Sequence, residues 1–232
     1  DEPLAYFAPQ APLGEAIGAW SRAHPQGSVG AIGLGVGGVL PYASAGQRWR
    51  FWELDPVVVS LASDPALFSY VRDARARGAG VELLLGDGRL GLAAERGGPR
   101  HDLLILDAFW GDAVPIHLLT QEAFDLYFER LKPEGLFVLN ISTRYLDLTP
   151  LVAAEAERLG WVGLQRREGH LGAEARLAGR SPSHSVILAR DSARLEGLVG
   201  AGWKQLPPPT PRPWRDERAS LVEVLGLLRS GR

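Results

Sequence analysis

Three carboxylates follow apolar segments of the chain at positions where a sheet would present them together. Glu53 closes the segment RWRFWE, Asp87 lies between Gly86 and Gly88, and Asp107 closes the segment DLLILD. Because the carboxyl ends of parallel strands meet at one edge of a sheet, these side chains would ring a single cleft. A carboxylate there can accept hydrogen bonds from ribose hydroxyls or an amino group, and it can take up a proton.

A glycine run precedes these acids, in the segment VGAIGLGVGG at residues 29–38. Gly33, Gly35 and Gly37 have the spacing typical of S-adenosylmethionine sites, whereas Gly33, Gly35 and Gly38 equally fit the dinucleotide pattern. Glycines let the backbone approach a ligand where a Cβ would clash. A strand before the run and an acid about 20 residues beyond its first glycine predict a nucleoside-type cofactor site.

The acid after the third predicted strand distinguishes the two cofactor classes. A dinucleotide site has no need of Asp87, whereas an adenosylmethionine site can use its carboxylate to accept the adenine amino group. The sequence therefore favours S-adenosylmethionine, or its decarboxylated form, over NAD. Purely structural roles are the alternatives, in which Asp87 caps the following helix and Asp107 binds loop amides.

The spacing of apolar residues predicts alternating strands and helices, and hence a mostly parallel Rossmann-like sheet of about seven strands flanked by helices. The predicted strands are residues 29–34, 48–54, 81–85, 102–107, 136–141, 161–167 and 185–189. The predicted helices include residues 13–24, 39–46, 64–77, 121–131 with Thr120 as the cap, 148–159 and a closing amphipathic segment, 217–229.

Composition restricts the classes of function. The 232 residues are 46% hydrophobic, which is enough for the core of one α/β domain. Lys and Arg number 25 against 27 Asp and Glu, with no basic block, so we expect no nucleic-acid partner. No apolar run is long enough to span a membrane, and the absence of cysteine excludes disulfides and thiolate chemistry. His101, His117 and His184 lack metal-ligand spacing, so we expect no metal and assign the histidines to surfaces and loops.

The chain divides into three predicted parts. Residues 1–28 form an extended and helical lead-in, 29–192 a Rossmann-like catalytic domain, and 193–232 a helical extension packed on that domain. Because the sequence begins with Asp1, we expect the lead-in to be truncated. The lack of Met and Cys fits a thermophilic source, and a GC-rich genome would give a similar bias.

One long segment resembles a known family. Residues 101–142, HDLLILDAFWGDAVPIHLLTQEAFDLYFERLKPEGLFVLNIS, resemble the core of the spermidine synthase (polyamine aminopropyltransferase) family. The similarity is greatest to spermidine-synthase-like proteins that are often fused to membrane transporters. It extends over about residues 3–229, because PLAYF at 3–7 and WRDE at 214–217 resemble the beginning and the closing segment of that subgroup.

This resemblance implies a class I S-adenosylmethionine-dependent methyltransferase fold and a role for each acid. Glu53 would hold the ribose hydroxyls and Asp87 the adenine. Asp107 would match the first acid of the family's Asp-x-x-Asp loop, which accepts the proton of the attacking amine. The implied cofactor-binding residues are Gly33, Gly35, Gly37, Glu53, Asp87, Gly88 and Asp107.

The sequence departs from the family pattern in the catalytic loop. The second acid of the loop is expected three residues after Asp107, where this chain has Trp110. Asp112 is the predicted substitute and our second catalytic candidate, and Asp216 is a further candidate for binding an amine. The family's N-terminal β-hairpin, with a glutamine that contacts the cofactor, has no counterpart in this sequence.

We therefore expect a transferase that moves an aminopropyl group from decarboxylated S-adenosylmethionine to a small amine, as in polyamine biosynthesis. One alternative is a methyltransferase that uses S-adenosylmethionine on the same scaffold. Another is a non-catalytic nucleoside-binding domain. From the resemblance we also expect a cytoplasmic homodimer.

Overall fold

The apolar segments of the sequence lie side by side as the strands of one eight-stranded sheet. The computed structural model describes residues 2–95, 97, 101–111, 113–197, 199–209 and 212–219. Its strands are β1 (Ser28–Ile32), β2 (Arg48–Glu53), β3 (Gly80–Leu85), β4 (His101–Leu106), β5 (Leu131–Asn140), β6 (Val162–Glu168), β7 (Ser183–Ala189) and β8 (Lys204–Gln205).

The sheet has the strand order β3-β2-β1-β4-β5-β7-β6-β8. Strands β3, β2, β1, β4 and β5 are parallel, whereas β7, β6 and β8 pair in antiparallel fashion. The chain builds outward from β1 to β3 on one side and then returns to place β4 on the other side of β1. Such a reversal of strand order opens a crevice at the carboxyl ends of the strands, where ligands bind.

Helices cover both faces of the sheet. They are α1 (Pro12–Ala23), α2 (Pro56–Ser63), α3 (Tyr70–Ala76), α4 (Gly88–Ala94), α5 (Gln121–Arg130), α6 (Thr149–Leu159) and α7 (Ala173–Leu177). On one face α1 and α3 pack over the sheet, and on the other α4, α5 and α6 do. The predicted fold class, a Rossmann-like and mostly parallel sheet flanked by helices, is therefore confirmed.

Aromatic side chains fill the two layers between helices and sheet. Trp20 of α1 is buried against the face that carries Trp49 and Phe51. On the opposite face, Phe124 of α5 meets the ring of Phe137 in β5 at a centroid distance of 5.8 Å. Large aromatic side chains of this kind contribute most of the buried apolar area of a core. Trp20 and Phe124 thus lie on the buried faces of their helices.

Short polar side chains fix where several helices begin. Asp55 caps α2 by accepting the Val57 amide, and Asp87 caps α4 by accepting the Leu90 amide. The predicted Thr120 cap of α5 is confirmed, because its hydroxyl accepts the Ala123 amide. Each cap satisfies an amide at the helix N-terminus that would otherwise lack an acceptor.

Two predicted helices are wrong in extent. In place of a helix over residues 39–46 the chain forms a single 3-10 turn, Leu40–Tyr42. The helix predicted over 64–77 is confined to Tyr70–Ala76. Asp64 closes a separate turn before this helix, in which its carboxylate accepts the Ala66 amide and its carbonyl accepts the Phe68 amide.

The sheet also extends beyond the predicted strands. β5 begins at Leu131, which pairs with His101, and not at position 136 as the Pro-Glu-Gly sequence suggested. The register then shifts before Leu103, so the strand passes through an irregularity that pattern alone cannot show. The eighth strand, β8, lies in the region predicted as a helical extension. The predicted helix 217–229 lies mostly outside the described residues, and the three-part division of the chain stays a prediction.

One buried acid makes stability depend on pH. Glu155 of α6 has no solvent exposure, and only its Oε2 has a partner, Arg158, at 2.8 Å. Within the described chain its Oε1 accepts no hydrogen bond. Burial raises the pKa of Glu155 from 4.5 to about 7, although the Arg158 guanidinium acts in the opposite direction. The folded state therefore binds a proton that the unfolded state releases.

We predict that Glu155→Gln stabilises the protein at pH 8. Because the folded-state pKa is raised, the Glu155 contribution to stability falls as pH rises from about 4.5 to 7. At pH 8 the variant should exceed the wild type by about 2–3 kcal/mol in the free energy of unfolding, and the difference should shrink toward pH 5. Chemical denaturation at both pH values measures this. Glu157→Gln, on the exposed face of the same helix, is the matched control, and an equal effect there would contradict the explanation.

Candidate functional site

The ends of β1 and β4 approach each other closely at Gly33. Its amide donates to the Trp52 carbonyl at 2.9 Å, and the Asp107 amide donates to the Ile32 carbonyl at 2.9 Å. A Cβ at Gly33 would lie 2.2 Å from the Asp107 carbonyl oxygen, and its φ of +98° is one that side-chain-bearing residues rarely adopt. Only glycine fits here, and this contact places the start of the glycine turn beside Asp107.

The glycine turn itself is exposed at its tip. Gly37 closes it by donating its amide to the Leu34 carbonyl at 2.9 Å. Gly35 has a φ of +52°, and a Cβ built on it would meet nothing within 4 Å. The amides of Gly35 and Val36 donate to no acceptor in the described protein, so they are available to a ligand. The open space above Gly35 is where the backbone can approach a nucleoside donor.

Glu53 is held directly beside the glycine turn. One carboxylate oxygen accepts the Leu34 amide at 3.0 Å and the other accepts the Asp55 amide at 3.0 Å. Each carboxylate oxygen has two lone pairs, so both oxygens keep one acceptor position. The side chain is half-buried at the end of β2 and is oriented before any ligand arrives. This arrangement can accept two neighbouring ribose hydroxyls.

Asp87 lies at the end of the next strand along the sheet. The Gly86 amide donates to the Glu53 carbonyl at 2.8 Å, which ties the two strand ends together. One Asp87 oxygen accepts the Leu90 amide at 2.9 Å and the other lies 2.9 Å from Nε2 of His117. The structural alternative considered for Asp87, a helix cap, is therefore what the structure shows, and a histidine partner accompanies it.

A second group of charges lies beside this pair. Arg89 makes a two-bond ion pair with Asp216, each bond 2.7 Å long, and donates to the His117 carbonyl at 2.8 Å. Thr120 donates to the same aspartate at 2.8 Å. The hydrogen bond from Arg89 lowers the pKa of Asp216 to about 2. Asp216 is thus bound to α4 and the start of α5, and its contacts do not include Asp107.

Asp107 sits among uncharged partners. Asn140 donates its amide to the carboxylate at 2.8 Å, and the Tyr6 hydroxyl faces the same group. Burial raises the pKa of Asp107 to about 7, while these two partners act to lower it. Burial, followed by the nearby Asp107 charge, raises the pKa of Tyr6 well above its usual range, so Tyr6 stays protonated. A carboxylate with a pKa near neutrality is suited to general base catalysis.

A buried chain of hydrogen bonds fixes Asn140. Its Oδ1 accepts the Ser142 amide at 3.1 Å, which can only donate, so the Nδ2 end must face Asp107. The Ser142 hydroxyl donates to the same Oδ1 and accepts the His184 amide at 2.8 Å. Burial lowers the pKa of His184 to about 4, with the charge of Arg167 acting in the same direction. The support of Asp107 is therefore neutral throughout.

Apolar side chains surround the cleft and face solvent. They come from the glycine turn and from the segments that follow the parallel strands. Leu90 is 71% exposed and Trp110 is 78% exposed, which is unusual for residues of this kind. Such a rim can pack against a flat purine and the carbon chain of a substrate. The rim consists of Val36, Leu54, Leu85, Leu90, Phe109, Trp110 and Ile116.

The structure brings most of the predicted site residues to one edge of the sheet. Gly33, Glu53, Asp87 and Asp107 follow β1, β2, β3 and β4 in that order, and these four strands are neighbours. Gly35 and Gly37 shape the turn, and Gly88 lets α4 approach Ile32, since a Cβ there would lie 2.6 Å from that side chain. Asp112, the predicted substitute acid, lies outside the described residues.

Two residues of the site, Tyr6 and His117, were not predicted from the sequence. Tyr6 follows Ala5, which has a φ of +56° and is the one described non-glycine residue with a left-handed backbone. Such strain persists only where surrounding contacts impose it. His117 was assigned to a surface or loop. Its position between Pro115 and Thr120, in the segment that resembles the family, was the only available signal.

The described ranges contain neither a candidate metal site nor a candidate membrane-spanning helix. No three histidine, aspartate or glutamate side chains there are grouped so that they could hold a metal ion. None of the helices in those ranges combines the length and the apolar character needed to cross a membrane.

Comparisons with known proteins relate this geometry to solved structures. No protein-family model and no curated protein matches the chain. A probable spermidine synthase from Corynebacterium glutamicum superposes with a TM-score of 0.57 at 22% identity, covering 84% of this chain and 73% of that one. Human methyltransferase-like protein 13 in complex with SAH gives 0.57 at 17% identity, covering 79% and 86%. A spermidine synthase in complex with the transition state analogue AdoDATO gives 0.52 at 15% identity, covering 90% and 68%. The chain therefore has the Rossmann-like fold that spermidine synthases and class I S-adenosylmethionine-dependent methyltransferases share.

Proposed function

We propose that this chain is a transferase that moves an aminopropyl group from decarboxylated S-adenosylmethionine to a small amine. The observation that carries the proposal is Asp107, a carboxylate with a pKa near 7 placed against the glycine turn of a nucleoside-type site. The fold shared with spermidine synthases supports it, as does the resemblance of residues 101–142 to that family.

The donor would lie along the edge formed by β1, β2 and β3. Glu53 would accept the ribose hydroxyls, because both of its oxygens retain an acceptor position beside the turn. Asp87 would accept the adenine amino group, and Leu54 and Leu90 would pack against the purine. The sulfonium would then come close to Gly33 and Gly35, near the carboxylate of Asp107.

The reaction needs one nucleophile, one leaving group and one proton acceptor. The amine nitrogen attacks the carbon next to the sulfonium, the carbon–sulfur bond breaks, and its electron pair stays on sulfur as a neutral thioether. The nitrogen loses a proton as it forms the new bond, and Asp107 takes that proton. The protein's negative carboxylate also stabilises the positive charge on nitrogen in the transition state.

The acceptor would enter over the loop after β4. Phe109 and Trp110 are exposed there and can pack against the carbon chain of an amine. The partners of Asp107 in the described structure, Tyr6 and Asn140, are uncharged, so the site offers one negative charge to the reacting nitrogen. A monoamine, or a diamine whose second charge is distant, fits this single negative charge better than a diamine with two neighbouring charges.

Methyl transfer from S-adenosylmethionine is the second candidate. It is favoured by the exposed amides of Gly35 and Val36, which could bind the carboxylate that decarboxylated donor lacks. A non-catalytic nucleoside-binding domain would bind either donor without turnover. Participation in polyamine biosynthesis, a homodimer, a cytoplasmic location and a thermophilic source stay predictions.

We predict that the chain binds decarboxylated S-adenosylmethionine and methylthioadenosine more tightly than S-adenosylmethionine, and NAD not at all. Glu53→Gln should weaken nucleoside binding by about 10-fold to 100-fold, because hydrogen bonds to a charged acceptor are lost. Isothermal titration calorimetry measures both effects. Glu129→Gln, on the exposed side of α5, should leave affinity unchanged. Preference for S-adenosylmethionine would indicate methyl transfer, and binding of NAD alone would exclude both transferases.

We predict that Asp107→Asn lowers turnover by about 10²-fold to 10⁴-fold, while affinity for methylthioadenosine, which carries no sulfonium charge, stays within about twofold of the wild type. Since only the ionised carboxylate can accept the proton, kcat/KM should rise with pH through about 7. That rising limb should disappear in the variant. Steady-state kinetics across a panel of amines provides the measurement, and full turnover by Asp107→Asn would rule out its role as the base.

A further inference from the structure

The Asp87 carboxylate is held from two sides in this structure. The Leu90 amide donates to Oδ1 and the His117 ring approaches Oδ2, each at 2.9 Å. Because an ionised carboxylate only accepts hydrogen bonds, Nε2 of His117 must carry the proton that joins them. The pair lines an open cavity of about 500 Å³, so a ligand group can reach it.

The loop that carries His117 is fixed independently of this contact. The His117 carbonyl accepts a hydrogen bond from Arg89, which is itself bound to Asp216. The two residues that follow, Leu118 and Leu119, are buried in the core under α5. Besides Asp87, the charged residues that line the same cavity as His117 are Arg89, Glu122 and Asp216. The imidazole is therefore presented to Asp87 by a rigid segment.

We propose that His117 is a positioning residue that orients Asp87 for the adenine amino group of the donor. This inference rests on the proposed function, in which Asp87 binds adenine. A carboxylate fixed by a single donor turns easily about its last torsion, because such torsions have broad preferences. With donors on both oxygens its plane is set, and one lone pair on each oxygen remains for a ligand.

The expected consequence is selectivity at one purine position. A 6-amino group donates to the remaining lone pair of Asp87, whereas a 6-oxo group presents a second acceptor and is repelled. An oriented Asp87 carboxylate makes the difference in affinity between the two purines large, because its acceptor oxygen cannot turn away from the 6-oxo group. A freely turning one would bind the amino group less well and would tolerate the 6-oxo group better. His117 thus determines how strongly the site prefers a 6-amino purine to a 6-oxo purine, and not only how tightly the purine binds.

The test compares methylthioadenosine with methylthioinosine, its 6-oxo counterpart, by calorimetric titration of the full chain. In His117→Ala we expect about tenfold weaker binding of methylthioadenosine, which corresponds to about 1.4 kcal/mol. Methylthioinosine binding should change less than twofold, so the ratio between them falls about tenfold. His117→Gln, whose side-chain amide can replace the Nε2 donor, should recover most of the ratio. In the Asp87→Asn variant, the additional change His117→Ala should not alter the ratio of the two affinities any further.

Three results would overturn this inference. Equal weakening of both nucleosides would mean that His117 only maintains the loop, and tighter methylthioadenosine binding by His117→Ala would mean that the ring competes with adenine. Unchanged affinities for both nucleosides in both His117 variants would show that Asp87 needs no second donor. His170→Ala, a change of an exposed histidine after β6, is the control for general effects. If the wild type binds no adenosine compound, the proposed function fails and this inference fails with it, whereas the other results overturn the inference alone.

Discussion

The close contact between Gly33 and Asp107 determines where chemistry can occur in this fold. With 2.2 Å between the carbonyl oxygen of Asp107 and the position of a Cβ on Gly33, the ends of β1 and β4 can meet only through a glycine. The same contact brings Asp107, the proposed base, to the turn that would hold the sulfonium end of a donor. Because β1 lies between β2 and β4 in the sheet, Glu53 comes to the other side of that turn. Binding and chemistry are thereby placed next to each other by backbone packing alone.

A network of charges fixes the other end of the cleft. Arg89 contacts the C-terminal segment through Asp216, and it contacts the loop after β4 through the His117 carbonyl. These groups are partly exposed, so their individual contributions to stability are small. Their main effect is to fix the orientation of side chains, since an arginine that makes two hydrogen bonds to one aspartate has few alternative orientations. The network lets residues from α4, the β4–α5 loop and the C-terminal segment act as one wall.

The sequence predicted the parts of the site that are local in the chain. The glycine turn and the acids Glu53, Asp87 and Asp107 all follow apolar strands, so their common edge could be derived from parallel-sheet topology. The helix over 64–77 was predicted too long, since the turn that Asp64 closes is not continuous with α3. Tyr6 could not be foreseen, because its approach to Asp107 joins residues a hundred positions apart and depends on strain at Ala5. The same holds for His117, whose partner Asp87 is 30 residues away.

Trp110 stands where the spermidine synthase pattern has a second acid, so the pKa of Asp107 has to be set in another way. Where two carboxylates stand close together, mutual repulsion raises the pKa of one of them. The described surroundings of Asp107 hold no second carboxylate in contact with it, and its pKa is raised by burial instead. Burial acts here beside uncharged groups, Asn140 and, behind it, the neutral His184. A charged residue among these hydrogen-bonded groups would move the pKa of Asp107 away from about 7. This neutral support leaves burial as the largest influence on the pKa of Asp107.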